Sequence, residues 1–246
     1  AAACEAADLV VVYGGEDAVR QLRGRIPPDT RVVVHGPRFS IGLVGRDALT
    51  EEGARHTALR VARATAIFDQ QGCVSPHLVY AENGEVSVEE FARLVAEELR
   101  FLQEELPRGR ISAAEAATIH QLRAAGEFRE LAGAGTRVFA GEGTSFTVVY
   151  EPRPGFEPSC LNRFLTIKPV DDLSDAIQQL RPVASRLQSV GIAGANGRLA
   201  GIAELLGRLG ASRITTFDAL PWPPPSWHHD GQPPLAELVR WADLED

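Results

Sequence analysis

Two uninterrupted apolar runs, each joined to a stretch of helical spacing, constrain this chain most. "LVVVY" from Leu9 to Tyr13 is β-branched or aromatic at almost every position. A strand apolar on both faces must be covered on both, which is the signature of a parallel sheet with helices on either side. Gly14-Gly15 end the run, and Glu16 to Arg23 then sets Ala18, Val19 and Leu22 at helical spacing. After Pro27-Pro28 comes a second run, "RVVVHG", so the first 44 residues read as a β-α-β piece of a parallel sheet. The alternation returns in "KPVDDLSDAIQQL", a strand followed by an acid-capped helix, and in "ELLGRLGASRITTF", a helix followed by a strand. The fold class expected is α/β.

The middle of the chain fits that frame. Thr50 to Phe68 predicts a buried helix with a threonine cap, and Pro76 prevents its continuation. "HLVYAENGE" then predicts a strand closed by a turn at Asn83-Gly84. Long helices are expected from Val88 to about Leu106 and from Ser112 to about Leu131, and strands from Phe146 to Tyr150 and Phe164 to Ile167. "LPWPPPSWHHDGQPP" must be extended and irregular, and "LAELVRWADLE" predicts a short amphipathic helix at the end. No internal repeat is present.

Composition narrows the function. A chain of 246 residues with 44% hydrophobic content can bury a core without disulfides or a structural metal. The net charge of −8 contains no Lys/Arg block, which argues against nucleic acid as a partner. No apolar run approaches the roughly 20 residues that span a bilayer, and the N-terminus lacks a signal-peptide pattern, so a cytoplasmic location is expected. Methionine is absent, and the chain reads as a piece of something longer. Cys4, Cys73 and Cys160 are too scattered for a disulfide framework, and no CxxC or HxxxH spacing suggests a metal.

Cys73 lies in "FDQQGCVSPH", where a buried helix gives way to a turn and then a strand. A lone cysteine is commonly a small buried hydrophobe. Two amides, a glycine and a proline-terminated turn instead suit a thiol presented at the end of an element, with a backbone N–H available to polarise a carbonyl.

That segment resembles the active-site cysteine segment of the LuxC acyl-CoA reductases, a branch of the aldehyde-dehydrogenase superfamily. "WPPPSWHHDG" with "LAELVRWADLE" resembles the same family's C-terminal signature, and "KPVDDLSDAI" the strand and helix that follow the catalytic core. The resemblance extends over essentially the whole chain. It implies an aldehyde-dehydrogenase-like fold in which residues 1–38 are the last β-α-β part of a Rossmann-type dinucleotide-binding domain and residues 39–246 a catalytic domain including the C-terminal segment. The earlier half of the cofactor domain, with its oxyanion-hole asparagine, then lies outside this sequence.

The activity implied is NADPH-dependent reduction of a long-chain fatty acyl-CoA, or of an acyl-protein thioester, to the aldehyde through an acyl group on Cys73. Superfamily members that hydrolyse their acyl-enzyme carry a glutamate where this chain reads "VVVHGPRFS", a departure that favours reduction. His35 stands there, either as a proton donor or acceptor near Cys73 or as a structural histidine at a strand end. Gly14 and Gly15 are either a backbone approach to a cofactor phosphate or an ordinary tight turn. His229 either shapes the cofactor or substrate pocket or is structural. No residues are assigned to a metal; adjacent His228 and His229 point apart in extended chain. Cys160 lies near where the superfamily often keeps a ribose-binding glutamate, which is not recognisable here. The resemblance implies a homo-oligomer. Alternatives are an oxidative aldehyde dehydrogenase, an incomplete unit of the fold with only a structural or oligomerising role, and a cysteine hydrolase with His35 or His77 as base.

Overall fold

The computed structural model describes residues 2–245. Its contacts divide the chain into two compact units, the residues up to Arg38 with those from Pro224 onward, and Phe39–Pro223. The segment from Pro224 onward, grouped by sequence with residues 39–246, clusters instead with the first unit.

The first unit holds α1 (Ala2–Glu5), β1 (Leu9–Tyr13), α2 (Glu16–Arg23) and β2 (Arg31–His35). β1 and β2 pair in parallel, from Leu9 opposite Arg31 to Tyr13 opposite His35. Arg31 also donates to the Val239 carbonyl at 3.0 Å, tying the C-terminal segment to β2.

The second unit runs β3 (Phe39–Val44), α3 (Gly53–Ala66), β4 (Pro76–Glu82), α4 (Val88–Glu105), α5 (Ala113–Leu131), β5 (Arg137–Ala140), β6 (Thr147–Tyr150), β7 (Phe164–Val170), α6 (Leu173–Leu180), β8 (Leu187–Ala193), α7 (Leu199–Leu209) and β9 (Arg213–Thr215). Its seven strands lie in the order β5-β6-β7-β4-β3-β8-β9. Every neighbouring pair is parallel except β5 with β6. Alternation along the central strands explains why they read as continuous apolar runs. In β4, Val79 and Ala81 enter one core with Val61, Phe91, Val95 and Leu99 of α3 and α4. Leu78 and Tyr80 enter the other, with Leu173, Ile177 and Leu206 of α6 and α7. Each large apolar side chain so buried contributes about 1.5–3 kcal/mol. A Cβ on Gly42 of β3 would stand 2.6 Å from the Phe217 ring, so only glycine lets that ring cover the strand.

Several expectations need correction. α3 stops at Ala66, because Phe68, Asp69 and Gln70 all take left-handed φ values. Thr50 does serve its start, accepting from Gly53 N–H at 2.9 Å. β4 ends at Glu82, and the turn expected at Asn83-Gly84 leads into α4, with Asn83 Oδ1 accepting from Val88 N–H and Ser87 capping the helix at Glu90. "LAELVRWADLE" makes a single turn, Leu238 N–H to Leu235, and no helix. Leu235, Trp241 and Leu244 are 71%, 82% and 97% exposed, so most of its apolar stripe stays in solvent and so short a helix has little stability of its own. β5 and β8 were not anticipated. Among the described residues, no helix is long and apolar enough to cross a membrane.

Candidate active site

Cys73 is exposed on a tight turn, closed by Ser75 N–H to the Gly72 carbonyl at 2.9 Å, that leads directly into β4. The turn is held from both sides. Ser40, at the start of β3, donates its hydroxyl to the Cys73 carbonyl at 2.7 Å and accepts from Ser189 N–H of β8. Gln70 is buried and donates Nε2 to the Pro76 carbonyl at 2.9 Å, spanning the turn at its base. The thiol therefore sits on a backbone with little freedom, which is what nucleophilic attack at a fixed angle needs.

The backbone before it is strained. Phe68, Asp69 and Gln70 have φ of 59°, 48° and 62°, and Leu161, Asn162 and Arg163 have 67°, 58° and 64°. Left-handed non-glycine residues cost about 1 kcal/mol or more each, less for Asn and Asp. The two runs are locked together. Asn162 N–H donates to the Asp69 carbonyl at 2.9 Å, Gln71 Nε2 to Asn162 Oδ1 at 2.9 Å, and Arg163 Nε to Asp69 Oδ1 at 2.6 Å. Arg163 is 1% exposed; burial lowers the pKa of its guanidinium and Asp69 opposes that shift.

Three buried polar atoms in this short stretch, Gln70 Oε1, Ser75 Oγ and His77 Nδ1, have no hydrogen-bond partner. Such groups cost stability and gather where geometry serves something other than stability. Burial lowers the His77 pKa to about 4, so its imidazole is neutral at pH 7. Cys160 is half-buried beside Phe164, and burial pushes its thiol up to about 11, so it is little ionised at pH 7.

The first unit carries its own cluster. His35 Nδ1 is 2.9 Å from Asp230 Oδ2, and Arg38 Nε is 3.2 Å from Oδ1 of the same carboxylate, whose side chain is 7% exposed. The His35 ring stacks on Tyr13 at 4.6 Å and on His229 at 4.4 Å, and Trp227 tilts against His229 at 4.7 Å. Burial, the largest influence, holds the His229 pKa below its ordinary value. His35, His229 and Asp230 each offer a ligand atom within 4.8 Å of the others. The two imidazoles nevertheless lie face to face at 7°, so their in-plane lone pairs do not converge on one ion, and Asp230 is already shared by His35 and Arg38. A cavity of about 290 Å³ opens beside the stack, lined also by Val11, Pro224 and Glu237.

Gly14 N–H donates to the His35 carbonyl, and a Cβ there would stand 3.2 Å from Ala18 Cβ. Gly15 is the N-cap of α2 with open space where a Cβ would stand, and Glu16 and Asp17 in the first turn oppose an anion there. The sequence thus pointed to Cys73, His35, Gly14, Gly15 and His229; it did not point to Ser40, Asp69, Gln70, Arg163 or the pairing of Asp230. Asn162, a residue type that tolerates left-handed backbone, just before a strand was the one local signal of the second strained run.

The family model described as Acyl-CoA reductase (LuxC) matches residues 1–241. The chain belongs to the LuxC family. Long-chain acyl-protein thioester reductase 2 of Photobacterium leiognathi is 28% identical over 239 residues, 97% of this chain and 47% of the relative. The long-chain acyl-protein thioester reductase of Aliivibrio fischeri is 26% identical over 239 residues, again 97% and 47%. This LuxC-family chain therefore spans about half the length of the curated relatives it matches. Among solved structures, aldehyde dehydrogenase 21 from Physcomitrella patens superposes with a TM-score of 0.66 at 12% identity, covering 90% of this chain and 46% of that one. The AldA indole-3-acetaldehyde dehydrogenase of P. syringae gives 0.63 at 20% identity, covering 85% and 44%. The LuxC-family fold here is aldehyde-dehydrogenase-like.

Proposed function

We propose that Cys73 is the nucleophile of a thioester reductase that converts a long-chain fatty acyl-CoA or acyl-protein thioester to the aldehyde, with NADPH as reductant. The observation that carries this reading is the placement of the only exposed cysteine among three on a pinned turn at the start of a central strand. In the first step the Cys73 thiolate attacks the thioester carbonyl; a carbon–sulfur bond forms to Sγ, the bond to the donor sulfur breaks, and the donor leaves as a thiolate. Thiolate is a good leaving group, and the new thioester keeps a carbonyl electrophilic enough for hydride. A backbone N–H at the end of an element can polarise that carbonyl. The cofactor, when bound, supplies the hydride that releases the acyl group as aldehyde and returns the thiolate. Gly14, Gly15 and His229 are the residues we assign to holding it; the open backbone at Gly15 and the aromatic-walled cavity are the features of this chain that fit it. His35, oriented by Asp230, is our candidate proton carrier for the departing donor thiolate.

Two further readings have support. The solved structures of similar fold carry the names of aldehyde dehydrogenases, which makes the oxidative direction a second reading. Coverage of about half of the relatives makes an incomplete, structural unit a third. Intact mass after incubation with a long-chain acyl-CoA, alone and then with NADPH, separates the reductase from the incomplete unit. Acylation that requires Cys73 and is discharged by NADPH as aldehyde supports the reductase. Acylation that persists with NADPH means a competent nucleophile on a unit without cofactor binding. An absence of acylation in the wild type, matching Cys73→Ala, sinks the nucleophile assignment.

A further inference from the structure

We propose that Asp69 and Arg163 are positioning residues for Cys73: their ion pair clasps two left-handed segments together and so fixes the turn on which the thiol stands. This rests on the assignment of Cys73 as nucleophile. The path is continuous. Arg163 reaches three targets, with Nε on Asp69 Oδ1 at 2.6 Å, one terminal nitrogen on Gln103 Oε1 at 3.0 Å and the other on the Ala66 carbonyl at the end of α3 at 3.4 Å. Asp69 is gripped from three directions, since its carbonyl takes Asn162 N–H and its second carboxylate oxygen takes Gly109 N–H at 2.9 Å. The residues that follow carry this on: Gln71 is bound to Asn162, and Gln70 bridges to the Pro76 carbonyl on the far side of the cysteine turn.

An ordinary fold-stabilising ion pair has no need of this setting. Here a nearly fully buried guanidinium holds six consecutive-run, non-glycine residues in a backbone region that they avoid when free, and one run ends three residues before the nucleophile. Strain of this kind persists only where surrounding contacts over-determine it, and it gathers where geometry is put to use. The chain could have met the same φ values with glycine, which would have left the turn loose. The clasp instead makes the direction of the Cys73 backbone depend on a pair of side chains 94 residues apart in sequence.

The test compares two reactions of the same thiol in wild type, Arg163→Lys and Asp69→Asn. Alkylation by iodoacetamide needs an exposed thiol but no aligned partner, whereas acyl transfer from a long-chain acyl-CoA, read by intact mass over time, needs the carbonyl held at the right angle. With rates expressed per folded molecule, both variants are expected to lose on the order of 10²-fold in the limiting acylation rate, while half-saturating acyl-CoA and alkylation change by less than about threefold. Acylation and alkylation unchanged per folded molecule would overturn the proposal, and so would both falling in proportion, since that is a general loss of thiol access or reactivity and not of alignment. If Arg163→Lys and Asp69→Asn fail to fold, Gln71→Ala decides: Gln71 is exposed, and its loss removes only the bridge to Asn162. A folded Gln71→Ala that acylates about tenfold more slowly supports the clasp, and one that matches wild type refutes it. Failure of the wild type itself to acylate would bring down the nucleophile assignment and the proposal with it, a result distinct from a variant that matches wild type.

Discussion

His77 shows how one buried group ties stability to pH. Its pKa falls from 6.5 to about 4 because burial penalises the imidazolium, and its Nδ1 has no partner to repay that penalty. The folded state therefore resists protonation, whereas the unfolded chain accepts a proton near pH 6.5. The stability linked to His77 is fully present above pH 6.5 and is lost as pH falls toward 4, by up to about 3 kcal/mol over that window. Urea unfolding at pH 7 and at pH 4.5 should show this loss in the wild type and a distinctly smaller one in His77→Phe, which fills a site already walled by the Phe39 ring at 6.2 Å. Equal pH dependence in the two proteins would show that His77 is hydrated in solution. The same local chemistry separates the cysteines. The exposed turn that carries Cys73 was legible from sequence because a glycine, two amides and a proline announce it, whereas the burial that raises the Cys160 thiol comes from α5 and β7, distant segments that no local pattern connects.

At the level of elements, Glu82 at the end of β4 joins parts of the sheet that sequence reading treats separately. It is fully buried and binds both terminal nitrogens of Arg198, at 2.7 and 2.8 Å, together with Arg46 and the N–H of Leu173 at the start of α6. Burial pushes its pKa up, but these donors outweigh burial and hold it at about 2. So fully occupied a carboxylate is a joint between elements and no acid–base catalyst. Glu82→Ala should cost about 1–3 kcal/mol by removing the buried anion that Arg198 and Arg46 share and leaving the Leu173 N–H unpaired, while Arg198 keeps Asp172 and both guanidinia reach solvent; denaturant unfolding at pH 7 measures it. Lowering pH should diminish that difference, since a depressed carboxylate gives its stability above about pH 4.5 and loses it on the way to about 2. A cost under 1 kcal/mol would mean that the arginines find water instead. Elements whose signals are local were legible: α4 through Ser87, α5 through the Ser112–Glu115 capping box, α6 through the Asp172–Asp175 box. β5 was not, because four residues at an antiparallel edge exist only by pairing with β6. Nor were the two strained runs, since Asp69 and Arg163, 94 residues apart, are brought together by the pairing of β4 with β7.

At the scale of the whole molecule the two units differ in what holds them. Phe39–Pro223 has seven paired strands with apolar clusters on both faces of the sheet. The first unit has two paired strands, with Val11 and Tyr13 of β1 exposed and a C-terminal segment most of whose apolar stripe stays in solvent. A two-stranded sheet is marginal in water because it buries too little to offset the entropy of ordering. Amide exchange should reflect this directly. Amides of β3 and β4, central and covered on both faces, should exchange only through global opening, and those of β1 and β2 at least about 10²-fold faster through local opening. Peptides covering residues 9–13 and 31–35 against 39–44 and 76–82, followed by mass spectrometry, decide it. Equal protection would show the first unit to be stabilised well beyond its own contacts. The expected gradient would instead set a rigid second unit, carrying Cys73, against a first unit whose His35–Asp230 cluster orders only as far as its own aromatic stack and ion pairs can hold it.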